Sequence, residues 1–177
     1  QEMLDGKVFT DITGFMKICD GKTKIKSNIK MFSNYTKLIL PQNLEVYNFC
    51  IDETDESERI ILYINDGDVD IEYFTQHADK LPAYVEVVYY FDENDMIISY
   101  MNSTVKGKKY GTLLLFLSIL LGKQVGIKTI NLDDCTDCGR SKNNIYIKSG
   151  FTYVSDHGPE MIGEVDKIID KMKSLFK

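Results

Sequence analysis

Short apolar stretches broken by Gly, Pro and Asn/Asp clusters dominate the chain beyond about residue 35, and they predict a strand-rich fold. Tyr35–Leu40 and Leu44–Ile51 read as strands around Pro41-Gln42-Asn43, and the acidic run Asp52–Glu58 reads as a solvated loop. Arg59–Asn65 and Asp68–Phe74 flank Asp66-Gly67. A two-residue type I′ turn needs positive φ at both centres and favours Asp-Gly, so a hairpin is predicted there. Ala83–Phe91 and Met96–Val105, on either side of Asp92-Glu93-Asn94-Asp95, predict a second antiparallel pair. Upstream, Val8-Phe9, Ile12 and Phe15-Met16 have no clean period, and Ile25, Ile29 and Phe32 predict only a weak helix.

The pattern changes after residue 105. Lys106-Gly107-Lys108-Lys109 is a turn, and Tyr110–Lys123 is apolar nearly all round, interrupted by Thr112 and Ser118. Such a helix is covered on more than one side. Gly122 and Gly126 are expected to end it, and Ile127–Leu132 gives another strand. Strand, helix and strand in that order predict a parallel crossover inside an otherwise antiparallel sheet. Ser141 is a candidate N-cap for a short helix through Ser149, with Gly150 as its C-cap, and Phe151–Ser155 reads as a strand. From Pro159 onward, Met161, Ile162, Val165, Ile168, Ile169, Met172, Leu175 and Phe176 have the spacing of an amphipathic helix, weakened early by Gly163. That helix is expected to dock on the core, with homodimerisation the alternative. The expected class is α+β, a mostly antiparallel sheet with one βαβ crossover and flanking helices, in a single domain over residues 1–177.

Composition narrows the function. The chain has 177 residues, 44% of them hydrophobic, enough for one domain with a real core. A net charge of −6 argues against broad nucleic-acid binding, which needs a basic face. The run Leu113–Leu121 is far shorter than the roughly 20 residues of a membrane span. With no apolar segment near Gln1 to mark secretion, the expectation is a soluble, cytoplasmic protein that does not contact membranes. The sequons at Asn34 and Asn102 are read as chance. Cys135-Thr136-Asp137-Cys138 invites a zinc or redox reading, but Cys19, Cys50, His77 and His157 supply no second pair at ligand spacing, so no metal site is expected.

The turn at 106–112 aims backbone N–H groups and a positive helix end at one point, which suits a phosphate, and its lysines add charge. Lys106-Gly107-Lys108-Lys109-Tyr110-Gly111-Thr112 resembles the acyl-CoA pyrophosphate loop of the GNAT superfamily of N-acetyltransferases, Arg/Gln-x-x-Gly-x-Gly/Ala between a strand and a helix. Tyr146-Ile147-Lys148-Ser149-Gly150-Phe151 resembles that family's Tyr-x-x-x-Gly-Phe signature. The resemblance covers about Met96 to Phe151. It implies a GNAT-like fold and transfer of an acetyl group from acetyl-CoA (coenzyme A) to a primary amine by direct attack. The acceptor would be a polyamine, another small amine, or a lysine or N-terminus of a peptide or protein.

The resemblance further implies that Ser99, Tyr100 and Met101 pair with the pantetheine arm, and that Lys106, Gly107, Lys108, Lys109, Tyr110, Gly111 and Thr112 hold the pyrophosphate. Tyr146 would protonate the leaving thiolate. Asp134, twelve residues before it, is the candidate base, with Glu86 a second candidate. Four positions depart from the pattern: Lys106 replaces the usual Arg/Gln, a mild change, Lys109 the usual first Gly, Gly139 a usual Asn, and Lys142 a usual Ala. Asn143 or Asn144 is expected to supply the missing amide contact. The alternative is a catalytically inactive GNAT-fold module that binds acyl-CoA or a protein partner.

Overall fold

The computed structural model describes residues 38–39, 44–105, 109–136 and 139–175. The predictions for Val8 to Phe32, for the Pro41-Gln42-Asn43 turn and for Lys106, Gly107 and Lys108 lie outside the described residues. In chain order the elements are β1 (Leu38–Ile39), β2 (Glu45–Glu53), β3 (Ser57–Asn65), α1 (Ile71–His77) with a 3-10 turn (Ala78–Lys80), β4 (Ala83–Tyr90), β5 (Asp95–Ser103), α2 (Tyr110–Gln124), β6 (Thr129–Asp133), α3 (Ile145–Lys148), β7 (Thr152–Tyr153), β8 (Glu160–Glu164) and α4 (Val165–Leu175). They form an eight-stranded sheet in the order β1-β2-β3-β4-β5-β6-β8-β7. Every pairing is antiparallel except β5–β6, the two strands joined through α2. The expected α+β architecture, with one parallel crossover in an antiparallel sheet, is the observed one.

Alternation along the strands divides the sheet into two faces. Ile60, Leu62, Ile64, Val85, Val87, Tyr89, Met96, Ile98, Ile130, Leu132 and Met161 are buried on the face that carries α2 and α4. Helix α2 is buried from Leu113 to Leu121 because the sheet covers one side and α4 another. Its one polar core residue, Ser118, donates to Leu115 O (2.7 Å), while Tyr89 donates to Ser118 O (2.6 Å), so both of these hydroxyls are paired within the apolar layer. Gly122 does not end the helix. A Cβ there would sit 3.0 Å from Met96 Sδ and 3.1 Å from Tyr89 Cε1, so its role is close approach to the sheet. Termination falls to Gly126, at φ +89°.

Three further sequence expectations are overturned. The segment Asp68–Phe74 is not the second strand of a hairpin. Both edges of β3 are already taken, by β2 and β4, so a strand after Asp66-Gly67 has nowhere to pair. Instead Asp70 caps α1 by accepting from Tyr73 N (2.7 Å), and the helix packs Phe74 on the opposite face with Ile61, Tyr63 and Leu81. The acidic run is mostly strand: β2 and β3 extend to Glu53 and from Ser57, and Thr54 Oγ1 holds the turn by accepting from Glu56 N and Ser57 N.

The third expectation concerns the C-terminus. Glu160–Glu164 forms β8, inserted between β6 and β7, and the helix begins only at Val165. Gly163 permits this, because a Cβ there would meet Ile168 Cδ1 at 2.9 Å and Phe151 Cδ1 at 3.0 Å. Among the described residues, no helix is long and apolar enough to cross a membrane.

Candidate active site

The parallel β5–β6 ladder runs from Asp95–Thr129 to Ile98–Leu132 and stops there. At the same level the β4–β5 register shifts. Val87 pairs with Ile98 and Glu86 with Tyr100, so Ser99 is an extra residue on β5. This is a β-bulge, which bends its strand and re-aims the side chains beyond it. The bend carries the second half of β5 away from β6 and opens a fork. A cavity of about 240 Å³ lies in it, lined by Ile97, Ile98, Ser99, Asn131, Leu132, Asp133 and Glu160.

The far end of β5 leads to the start of α2. Its first helical hydrogen bond is Leu113 N to Lys109 O (2.9 Å), so the N–H groups of Tyr110, Gly111 and Thr112 precede the ladder and form the positive end of a 15-residue helix. Lys109 sits at φ +58°, ψ +28°, the left-handed conformation that glycine adopts without strain. A Cβ on Gly111 would lie 3.4 Å from Ser103 Cβ and 3.8 Å from Met101 Sδ, ordinary contacts that leave room for a methyl but set Ser103 and Met101 against a longer side chain. The Tyr110 ring is buried in the core, which leaves its backbone for ligand contact. Tyr100 is exposed and stacks on Tyr84 at 5.5 Å.

Tyr146 stands in α3, buried, edge-on to Phe151 with ring centroids 5.9 Å apart. Burial, with the nearby Asp134 carboxylate and Cys135, pushes its phenol up to about 12. Among the described residues its hydroxyl makes no hydrogen bond. The helix is capped by Asn144 rather than Ser141: Asn144 Oδ1 accepts from Tyr146 N (2.8 Å), whereas Ser141 only accepts from Asn143 N (3.2 Å). Gly150, at φ +99°, closes it as expected.

Asp134 is the hub of the loop before α3. Its Oδ1 accepts from Thr136 N (2.9 Å) and Thr136 Oγ1 (2.6 Å), and its Oδ2 from Asn144 Nδ2 (2.8 Å) and the Tyr153 hydroxyl. Burial raises this carboxyl, but the donors from Thr136, Tyr153 and Asn144 outweigh it and hold it below the ordinary value of 3.8. Arg140 stacks over the Tyr153 ring at 3.8 Å and donates to Ser155 O (2.8 Å) and Gly158 O (3.1 Å), tying the loop to the β7–β8 turn. A carboxylate with four donors is built to hold a loop.

The other predicted residues are scattered around this frame. Glu86 accepts from Arg59 Nη1 at 2.9 Å on the face opposite α2. Asn143 is exposed, while Asn144 is fully buried and spends its amide on Asp134, Thr136 and Gly139 O. Tyr153 was not anticipated, since only the fold brings a residue nineteen positions away onto Asp134; Thr136, two positions along, and Arg140, which stacks on Tyr153, carried no motif of their own. Cys50 and Cys135 are free thiols, and no three His, Cys, Asp or Glu side chains among the described residues are grouped to hold a metal.

No protein-family model matches the chain, and no curated protein sequence matches it. Its fold is similar to those of solved acetyltransferases. One from Bacillus cereus ATCC 14579 is 19% identical, with a TM-score of 0.44 over 63% of this chain and 79% of that one. An acetyltransferase of the GNAT family from Staphylococcus aureus Mu50 is 15% identical, with a TM-score of 0.43 over 62% and 68%. The PaiA N-acetyltransferase of Thermoplasma acidophilum, solved in complex with coenzyme A, is 18% identical, with a TM-score of 0.41 over 62% and 60%.

Proposed function

We propose that the chain is an N-acetyltransferase that moves an acetyl group from acetyl-CoA to a primary amine by direct attack. The observation that carries this reading is the fork. Midway along β5, a bulge at Ser99 and the end of the β6 ladder open a fork between the two strands. Past its far end, the start of α2 presents free N–H groups beside Gly111. The free edge of Ser99–Met101 suits an amide-bearing arm that adds to the sheet as a strand does, and the α2 N-terminus suits its pyrophosphate. The limited room at Gly111 is the fit that a longer side chain there would spoil. Acetyl-CoA brings the activated acyl group, as a thioester.

The remaining chemistry falls to this chain's side chains. The Tyr146 hydroxyl keeps its proton through the neutral range, its phenol standing at about 12. An ordinary thiol titrates near ~8.5, so transferring that proton completely to a thiolate is uphill. The hydroxyl therefore acts as a hydrogen-bond donor to the leaving sulfur, and the balancing proton comes from the amine nitrogen as it is acylated. Asp134 positions α3 and does not abstract a proton, because its acceptor sites are occupied. That saturation is also what favours the second reading, a catalytically silent acyl-CoA binder.

Calorimetric titration with acetyl-CoA, with desulfo-CoA and ATP as controls, tests the first step. Micromolar binding of acetyl-CoA but not ATP supports the cofactor. No binding removes the reading, and binding without turnover of any amine leaves the silent binder.

A further inference from the structure

Tyr146 stands in a helix too short to hold itself. α3 has four residues, and a single turn fixes many backbone angles for almost no internal hydrogen bonding. The direction of the Tyr146 hydroxyl is therefore set from outside the helix. On one side the tether is local: the Tyr146 carbonyl accepts from Phe151 N (3.0 Å), and its ring meets Phe151 edge-on. On the other side its N–H donates to Asn144 Oδ1 (2.8 Å), so it is placed by whatever places Asn144.

Asn144 hangs on the Asp134 carboxylate. The backbone of Asp134 is fixed by the sheet, its N–H donating to Pro159 O (2.8 Å), but its side chain is free to turn unless something holds it. Two of its donors, Thr136 and Asn144, belong to the same loop and move with it. Tyr153 does not. It stands on β7 at the edge of the sheet, and its hydroxyl reaches Oδ2, the oxygen that also takes Asn144 Nδ2. Hydrogen bonding to the carboxylate pushes the Tyr153 phenol up from its usual range, which keeps its proton in place as a donor. The ring is held in turn by Arg140. That guanidinium lies 3.8 Å from the ring centroid, and its Nη2 is anchored on Ser155 O (2.8 Å) and Gly158 O (3.1 Å).

We infer that Tyr153 and Arg140 are positioning residues for the Tyr146 hydroxyl. Arg140 fixes the Tyr153 ring, Tyr153 fixes the Asp134 carboxylate, and Asn144 carries that position to the backbone of Tyr146. The inference rests on the acetyltransferase reading for the use made of the hydroxyl, whereas the restraint on Tyr146 exists with or without turnover.

Tyr153→Phe tests this, because it keeps the ring and the Arg140 stack and removes only the hydroxyl. In amide hydrogen exchange on the full chain, the Tyr146 N–H should exchange about tenfold faster than in the wild type, the scale of one hydrogen bond, with the amides of Leu113–Leu121 unchanged. Arg140→Lys keeps the charge but loses the planar stack, and should move the same amide in the same direction. In turnover, Tyr153→Phe should lower kcat about tenfold with KM for acetyl-CoA unchanged, and should cost nothing more in a Tyr146→Phe background, where the hydroxyl to be positioned is already gone. A Tyr146 amide that does not respond, an unaltered kcat, or effects that multiply in the double variant overturns the inference. A wild type that turns over no amine sinks the acetyltransferase reading alone, and the exchange of Tyr146 then decides the restraint.

Discussion

Replacing Asn144 with alanine should cost about 2–4 kcal/mol at neutral pH, most of it through a single carboxylate. The fully buried amide makes four contacts: Nδ2 to Asp134 Oδ2 (2.8 Å), Thr136 Oγ1 (3.0 Å) and Gly139 O (2.7 Å), and Oδ1 from Tyr146 N (2.8 Å). Loss of an N-cap costs about 1 kcal/mol. Loss of a donor to an ionised carboxylate costs about 1.5–3 kcal/mol, and the lower half applies because Asp134 is half-exposed and keeps three donors. Gly139 O is close to solvent and rehydrates. At about 2–4 °C per kcal/mol, Tm should fall by roughly 4–16 °C.

The pH dependence separates the two parts. Asp134 is depressed below 3.8, so its donors contribute stability that is present above that value and lost as pH falls through the folded value. The gap between wild type and variant, measured by urea unfolding, should be full at pH 7. Below 3.8 it should begin to narrow, reaching the cap contribution of about 1 kcal/mol as pH falls through the folded value. Asn144→Asp, which keeps the cap oxygen but sets a second carboxylate against Asp134, should be worse than alanine at pH 7 and recover in acid. A loss below about 1 kcal/mol at pH 7, or a gap flat from pH 7 to 3, would refute the assignment of Asp134 as the loop's anchor.

Tyr146→Phe should lower kcat by about 100-fold with acetyl-CoA affinity and stability nearly unchanged, since the hydroxyl has no hydrogen bond to lose among the described residues; an unaltered kcat ends its role. Gly111→Ala should fold and bind acetyl-CoA, because a Cβ 3.4 Å from Ser103 is an ordinary contact, whereas Gly111→Leu should lose the cofactor in a calorimetric titration. Lys109→Gly should stabilise the free protein by about 0.5–1 kcal/mol in urea by relieving a left-handed lysine. A loss of acetyl-CoA affinity in that variant would show that the ammonium, rather than the backbone, serves the phosphates.

Where local pattern and tertiary demand agree, the chain was readable. The all-round apolar run from Leu113 to Leu121 is a helix between a sheet and α4, and Gly150 closes α3 as its position implied. Val69-Asp70-Ile71-Glu72-Tyr73 misleads because it alternates with strand period. A pattern of side chains carries no information about whether a pairing edge is free, and β3 had none. Strand β8 was hidden by its continuity with α4: Met161 and Ile168 fit one helical face, and only the need to fill the gap beside β6 makes Glu160–Glu164 extended. At the site, Tyr146, Gly111 and the β5 segment stood out through short motifs. The Asp134 cluster did not, since its donors come from three separate stretches.

The interrupted ladder has a dynamic consequence. Along Ser99–Ser103 the edge of β5 that faces β6 has no strand partner among the described residues, in the middle of a sheet whose core is otherwise closed. Amide hydrogens on that edge should exchange with solvent orders of magnitude faster than those of Met96–Ile98 one turn of the pleat away. A ligand that lies down as the missing strand should silence them, and the contrast should fade toward β4, whose pairing never depends on it. The fork is then a seam where the protein breathes locally while the rest of the sheet opens only on global unfolding.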